Sequence, residues 1–411
     1  MPIRFVFIYI FLATQISLSG QQDYKFRHIN ISNGLSNNTV RAIFQDSKGY
    51  MWFGSDDGLN RYDAYRFISL RNKIHDSTSL PHNYINAINE DKQGNILIGT
   101  GQGVVSYNDA YGLKKLFYSR YHQKKVQTFS SNVLSIDVRS DGLILLSTYE
   151  AGLLKAYSGE TIFKQVPFFN GKEMEISYSL QAVTIDAQQV WVYIENRGIA
   201  KFDEKADVIS LVQDLDGVGT VNKMVTDKNG NLWLGSTNGL YKYSLKEKRV
   251  IKRWFQSPGQ LSANYVSGLT FDNDNNLWIA LQGGGVNVLN TDTESLRYFT
   301  SGEQSGSLSN RNATTVFIDS EGRKWIGTLN GGVNVMDDIL NRFISVTHQP
   351  HDNNTLAGNT VTAIAEDGDF LWFGTDGFGI SLWDRKNNNF TNYNHFVNNT
   401  ITNICRDKMG N

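Results

Sequence analysis

Asp227-Lys228-Asn229-Gly230-Asn231-Leu232-Trp233-Leu234-Gly235-Ser236 decides the fold, because the chain repeats the phrase along its whole length. Asp46-Ser47-Lys48-Gly49-Tyr50-Met51-Trp52-Phe53-Gly54-Ser55 and Asp319-Ser320-Glu321-Gly322-Arg323-Lys324-Trp325-Ile326-Gly327-Thr328 are two further clear copies. The opening aspartate, or its aligned equivalent, stands at Asp46, Asp91, Arg139, Asp186, Asp227, Asp272, Asp319, Asp367 and Asp407, at intervals of 40 to 48 residues. A period of that length marks one supersecondary unit with variable loops.

Each unit reads as strands. Val40-Arg41-Ala42-Ile43-Phe44 alternates apolar and polar, as a half-buried strand does. Asp46 to Gly49 supplies a turn, since Asp bonds its own backbone two residues on and Gly tolerates positive φ. Met51-Trp52-Phe53-Gly54 is the next strand, Asp57-Gly58 turns the chain, and Leu59-Asn60-Arg61-Tyr62 runs back. Arg66-Phe67-Ile68-Ser69-Leu70 is a fourth strand. Four antiparallel strands in about 45 residues is the size of a β-propeller blade. A helical solenoid of similar period would show 3.6-residue periodicity; here the period is 2 and the chain holds 37 Gly, most at turns.

Six of the eight Trp share one register: Trp52, Trp191, Trp233, Trp278, Trp325 and Trp372. Ile96-Leu97-Ile98 and Leu143-Ile144-Leu145 occupy that strand in the other two full copies. A Trp there packs against the adjacent blade, and burying it is worth roughly 4–6 kcal/mol as an upper bound. Two copies depart further: the third has Arg139 for Asp, and the fourth, Ala187-Gln188-Gln189-Val190-Trp191, lacks the turn glycine.

The ends of the chain set the domain expectation. Residues 1–20, with Arg4, the apolar run Phe5 to Ala13 and small residues at Ser17-Leu18-Ser19-Gly20, read as a secretory signal peptide. Tyr24-Lys25-Phe26-Arg27-His28-Ile29 then resembles the end of a unit, an orphan outer strand. A ring of blades must close or leave unpaired edges, so this strand is expected to complete the seventh unit near Val335-Met336. The expected fold is therefore all-β: a seven-bladed propeller of four-stranded antiparallel blades over 21–340. The beginning of a second, incomplete propeller follows over 341–411, opening at Arg342-Phe343-Ile344-Ser345 and stopping at Asp407-Lys408-Met409-Gly410-Asn411. One eight- or nine-bladed ring is the other count these repeats allow.

A net charge of −1 and a pI near 6.7 give no reason to expect nucleic acid or membrane binding. The single Cys405 excludes an intrachain disulfide, so stability rests on packing.

The phrase Asp-x-x-Gly-x-Leu-Trp-Ile/Leu/Phe-Gly-Thr/Ser, preceded by Leu-Ser-x-Asn as in Gly34-Leu35-Ser36-Asn37-Asn38-Thr39-Val40, resembles the two-component regulator propeller repeat over residues 24–411. The resemblance implies paired seven-bladed propellers forming the periplasmic sensor half of a hybrid two-component protein. Such a protein resembles, further on, a membrane helix, a histidine kinase core, a receiver and an output domain. It also implies an oligosaccharide ligand, a periplasmic location, and a homodimer of the parent sensor.

Candidate chemistry is otherwise sparse. The repeated Asp could pair as glycosidase carboxylates, but their turn positions account for them. Asp272-Asn273-Asp274-Asn275-Asn276 resembles half a calcium loop without its downstream Glu. Gly283-Gly284-Gly285 and Gly331-Gly332 lack the Lys-Ser/Thr of a phosphate loop. His348 and His351 are the closest His pair, and no third ligand is legible. No catalytic residue, metal or cofactor is expected.

What remains is a binding surface on the loops entering the first strands. It carries Asn38, Arg41, Asn83, Asn86, Asn222, Asn264, Asn310 and Arg311, whose directional donors suit sugar hydroxyls and uronate carboxylates. Arg139 is added as a break in the repeat. Trp254 and Trp383, outside the Trp register, are candidates for stacking on a sugar. Two other function classes fit an exported propeller. One is an enzyme of lyase or dehydrogenase type acting on polysaccharide, which needs convergent charged residues on the axis. The other is a protein-binding scaffold, which needs a broad exposed patch.

Overall fold

The structure is a computed structural model that describes residues 25–121, 125–129, 131–149, 151–175, 178, 180–186, 189–302, 306–337, 346–396 and 398–405, with backbone only over 181–186. The expected signal peptide, the strand at Arg342–Ser345, the Ala187-Gln188 turn and the last phrase at Asp407 lie outside these residues. The chain divides into two compact units, Met1–Asp338 and Ile339–Asn411.

The described residues are all-β, built as successive antiparallel sheets, one per copy of the phrase. In the first unit the sheets are numbered by their first strands: Val40–Gln45 (sheet 1), Ile85–Glu90 (2), Val133–Val138 (3), Leu180–Asp186 (4), Val221–Thr226 (5), Val266–Phe271 (6) and Ala313–Ile318 (7). The phrase itself forms the hairpin into the second strand, as in Asn231–Ser236. The fourth strand of sheet 7 is Arg27–Ile29 from the chain's beginning, with Arg27 opposite Val335 and Ile29 opposite Val333.

Two sheets correct the four-strand expectation. Phe117–Ser119 and Val126–Thr128 join sheet 3, and Phe168–Phe169 and Met174–Glu175 join sheet 4, making each six-stranded. The first strand of each added pair runs parallel to the sheet's own fourth strand. It buries Tyr118 or Phe168 and covers an edge that would otherwise expose unpaired backbone.

The core is a series of clusters between consecutive sheets. Trp52 packs with sheet 2, Trp191 with sheet 5, Trp233 with sheet 6 and Trp278 with sheet 7. Trp325 packs with Val40 and Phe53 of sheet 1, so sheet 7 meets sheet 1 as every other sheet meets its successor. The glycine of the phrase sets this spacing. A Cβ on Gly235 would lie 2.5 Å from Val266 Cγ1, and one on Gly327 would lie 2.8 Å from the Val40 carbonyl. No side chain fits at either place.

The opening aspartate does more than hold its turn. Asp227 Oδ1 accepts the Asn229 and Asn231 amides at 2.9 Å, and Oδ2 accepts Trp233 Nε1–H at 2.9 Å. The same indole bond recurs at Asp46–Trp52, Asp272–Trp278 and Asp319–Trp325, at 2.8–2.9 Å. Burial raises the Asp227 carboxyl, but the bonds from Asn231, Trp233 and Asn229 outweigh it and hold it below the usual range. Asp272 is occupied in this way, which accounts for the calcium-like run.

The second unit contains, among its described residues, a four-stranded sheet with first strand Val361–Asp367. A Cβ on Gly374 would lie 2.7 Å from Ile401 Cγ2, the contact that the phrase glycine makes in the first unit.

Candidate functional site

Every first strand carries the same irregularity. Its pairing with the second strand slips by one residue, between Val40 and Ala42, Ile85 and Ala87, Val133 and Ser135, Leu180 and Ala182, Val221 and Lys223, Val266 and Gly268, and Ala313 and Thr315. The extra residue of a β-bulge leaves the ladder and its side chain is re-aimed. The bulged residues Arg41, Asn86, Leu134, Asn222, Ser267 and Thr314 all line one cavity of about 450 Å³. Tyr149, Glu195 and Gln282, each directly after a second strand, and Thr220 and Tyr265, each directly before a first strand, complete its wall with Val221. All seven sheets of the first unit therefore contribute to it.

The bulged polar residues are also staples. Asn86 Nδ2 donates to the Val133 carbonyl (3.2 Å), Asn222 Nδ2 to Val266 (2.8 Å), Ser267 Oγ to Ala313 (2.7 Å) and Thr314 Oγ1 to Val40. Each bond ties a sheet to the first strand of the next. The Asn86 and Asn222 side-chain carbonyls have no donor among the described residues, so both remain acceptors for a ligand.

Arg41 departs from this pattern. Its guanidinium pairs with Asp56, through Nε and through Nη2 at 3.3 Å to Oδ2, and lies 4.4 Å over the Tyr84 ring. Burial raises the Tyr84 phenol, and Arg41 opposes that shift. Glu195 has no ion pair among the described residues. The cavity thus offers acceptors, a carboxylate and the half-exposed faces of Tyr149 and Tyr265, while its one guanidinium is already neutralised. Such a surface presents hydrogen-bond acceptors and aromatic faces with no free positive charge among its described lining residues.

The sequence candidates separate into groups. Arg41, Asn86 and Asn222 come together in the cavity. Asn38, Asn83 and Asn264 brace loops: their Oδ1 atoms accept the amides of Ile31, Asn72 and Gln256 at 2.6–2.9 Å. Arg311 stands at the same repeat position in sheet 7 and donates to the Gly283 carbonyl, while Asn310 Oδ1 accepts the Asn312 amide. Arg139 is 4% exposed and ion-pairs with Asp141 of its own turn (2.6 Å) and with Glu204 of sheet 4. Trp254 is 5% exposed and stacked 5.2 Å from Trp233, so it offers no face to a ligand. Trp383, in the second unit, stacks on Phe390 and bonds Asn388.

Tyr149, Glu195, Tyr265 and Gln282 are cavity residues that the sequence reading missed. A signal for them existed. The residue after Gly-Ser/Thr or its equivalent is Asp56, Gly101, Tyr149, Glu195, Thr237, Gln282 and Leu329 in successive copies, a position that refuses to repeat.

The fold and these repeats have known counterparts. The two-component regulator propeller model matches residues 34–57, 79–102 and 355–377. Histidine kinase P4 of Formosa agariphila is 41% identical over 76 residues, 18% of this chain and 5% of that protein. Among solved structures, the extracellular domain of a B. thetaiotaomicron protein described as a hybrid two component system is 24% identical with a TM-score of 0.65. That alignment covers 94% of this chain and 51% of that one, so the chain spans about half of the solved domain. Virginiamycin B lyase from Staphylococcus aureus aligns with 76% of this chain and 99% of its own at 11% identity and a TM-score of 0.54, a likeness of fold alone. By its repeated phrase, the chain carries two-component regulator propeller repeats.

Proposed function

We propose that the chain is the extracytoplasmic ligand-sensing part of a hybrid two-component signalling protein, and that its ligand is an oligosaccharide held in the bulge-lined cavity. The observation that carries this reading is the cavity wall itself. It is built from the positions at which each unit departs from the repeat, on a scaffold whose other conspicuous residues are accounted for by packing. Its volume of about 450 Å³ lies in the range of small-molecule sites. In this reading the seven sheets of the first unit close as a seven-bladed propeller through the Arg27–Ile29 strand and the sheet 7–sheet 1 staple. The sheet of the second unit begins a second propeller, which the Thr362 bond to the Ile401 carbonyl supports, since it repeats the staple of the first unit. Ligand binding would favour one arrangement of the sensor and so bias a kinase elsewhere in the protein.

The charge pattern narrows the ligand class. With Arg41 held by Asp56 and Glu195 unpaired among the described residues, a neutral oligosaccharide is favoured over a uronate. Isothermal titration of the purified full chain against matched neutral and uronic oligosaccharides tests this. Saturable heat with a neutral glycan is the expected result. Heat only with uronates would overturn the charge argument, and no heat across the panel would overturn the ligand class.

A further inference from the structure

A second cavity, of about 490 Å³, lies between sheets 2 and 3, away from the bulged residues. Its walls include Asp91, Asn95, Leu97 and Ser106 of sheet 2, with Ile144 and Phe163 of sheet 3. Lys114, Gln93 and Glu160 form an exposed rim.

The place of this cavity in the repeat is informative. Leu97 stands where sheets 1, 5, 6 and 7 carry the phrase Trp. The aspartate that receives the indole is nevertheless retained and set in the same way. Asp91 Oδ1 accepts the Gln93 and Asn95 amides at 2.8 and 2.9 Å, and Oδ2 accepts Asn95 Nδ2 at 2.9 Å. In sheet 5, Asp227 Oδ2 accepts Asn231 Nδ2 at 2.9 Å and also Trp233 Nε1–H at 2.9 Å. Sheet 6 repeats the pair at Asp272 with Asn276 and Trp278. In sheet 2 the second place on Oδ2 holds no donor among the described residues, although Asp91 is only 7% exposed.

The cover of the ring is missing as well. Opposite the phrase Trp, sheets 1, 4 and 5 place Arg61, Lys201 and Lys242, whose charges lie 4.9–5.8 Å over the indole. Opposite Leu97 stands Ser106. Two long side chains are thus replaced by two short ones, next to an acceptor still placed for a ring N–H. Lys114, opposite Ser106 on the next strand, sits at the cavity's edge, where its ammonium can cover an aromatic face.

We propose that this cleft is a binding site for a free planar heteroaromatic with a ring N–H, of the indole class, whose N–H bonds Asp91 Oδ2 and whose face lies on Leu97. It is independent of the oligosaccharide reading. The test is calorimetric titration of the full chain with indole and with 1-methylindole, which has the same ring and no N–H. Saturable binding of indole, with 1-methylindole about tenfold weaker or worse, is the expected result. Leu97→Trp, which supplies the missing ring covalently, should raise Tm and abolish indole binding. Equal affinity for the two probes, no saturable heat up to the solubility of indole, or undiminished binding by folded Leu97→Trp protein would overturn the proposal.

Discussion

In sheet 5 the phrase is complete: Trp233 is buried, its N–H is held by Asp227, Lys242 lies over one face and Trp254 stacks on the ring. Sheet 2 keeps the aspartate but has Leu97 for the ring and Ser106 for the cation, and a cavity remains beside it. Sheet 3 has lost both partners, with Leu145 for the ring and Arg139 for the acid. There Arg139 pairs with Glu204, and Lys155 with Asp207, both on sheet 4. One repeat therefore tolerates the loss of its anchor in two ways, by leaving space or by substituting ion pairs. The first departure can gain a ligand, whereas the second is structural.

The largest expected effect falls on the complete phrase. Trp233→Ala should destabilise the first unit by about 3–5 kcal/mol, read as a shift of the urea midpoint. Leu97→Ala, beside space that already exists, should cost about 2 kcal/mol, the low end for such truncations. Equal losses would break the comparison.

Removing the acid sharpens it. Asp227→Ala strips two turn amides and orphans the buried Trp233 N–H, whereas Asp91→Ala strips turn bonds alone. The first should therefore exceed the second by about 1 kcal/mol, again by urea unfolding.

Sheet 3 should respond to acid. Its hydrogen bonds from Arg139 hold the Asp141 carboxyl at about 2 and lower that of Glu204. A carboxyl depressed in the folded state stabilises above its unfolded pKa of about 3.9 for Asp. That contribution is lost as pH falls toward 2. Arg139→Ala should reduce stability near neutral pH by roughly 1–3 kcal/mol, toward the low end because both carboxylates are over 40% exposed. It should also flatten the acid limb of the stability profile between pH 4 and 2. An unchanged acid limb would show that other carboxylates set it.

The repeat, the strand order and the purpose of most Asp, Gly and Trp residues were legible because one pattern recurs and its period is that of strands. The bulge was not. Val40-Arg41-Ala42-Ile43-Phe44 reads as simple alternation, yet Val40 pairs with Ser55 and Ala42 with Gly54, which frees Arg41 to turn into the cavity. Nothing in a period-2 pattern announces an inserted residue whose neighbours still alternate. Trp254 was misleading for a related reason: its strand is an outer one, and burial there depends on contact with Trp233, which sequence does not display. Likewise the loop asparagines Asn38, Asn83 and Asn264 have the chemistry of sugar ligands, and only their bonds to nearby amides identify them as braces.

The smallest effect on stability, within about 0.5 kcal/mol, is expected at Tyr265, half-exposed on the cavity wall with no side-chain hydrogen bond recorded among the described residues. That makes it the cleanest probe of the cavity. The decisive measurement is titration of the best-binding neutral oligosaccharide into wild-type and Tyr265→Ala protein. The account predicts unchanged Tm and affinity about tenfold weaker or worse in the variant; equal affinity would contradict the assignment of the ligand to the bulge-lined cavity.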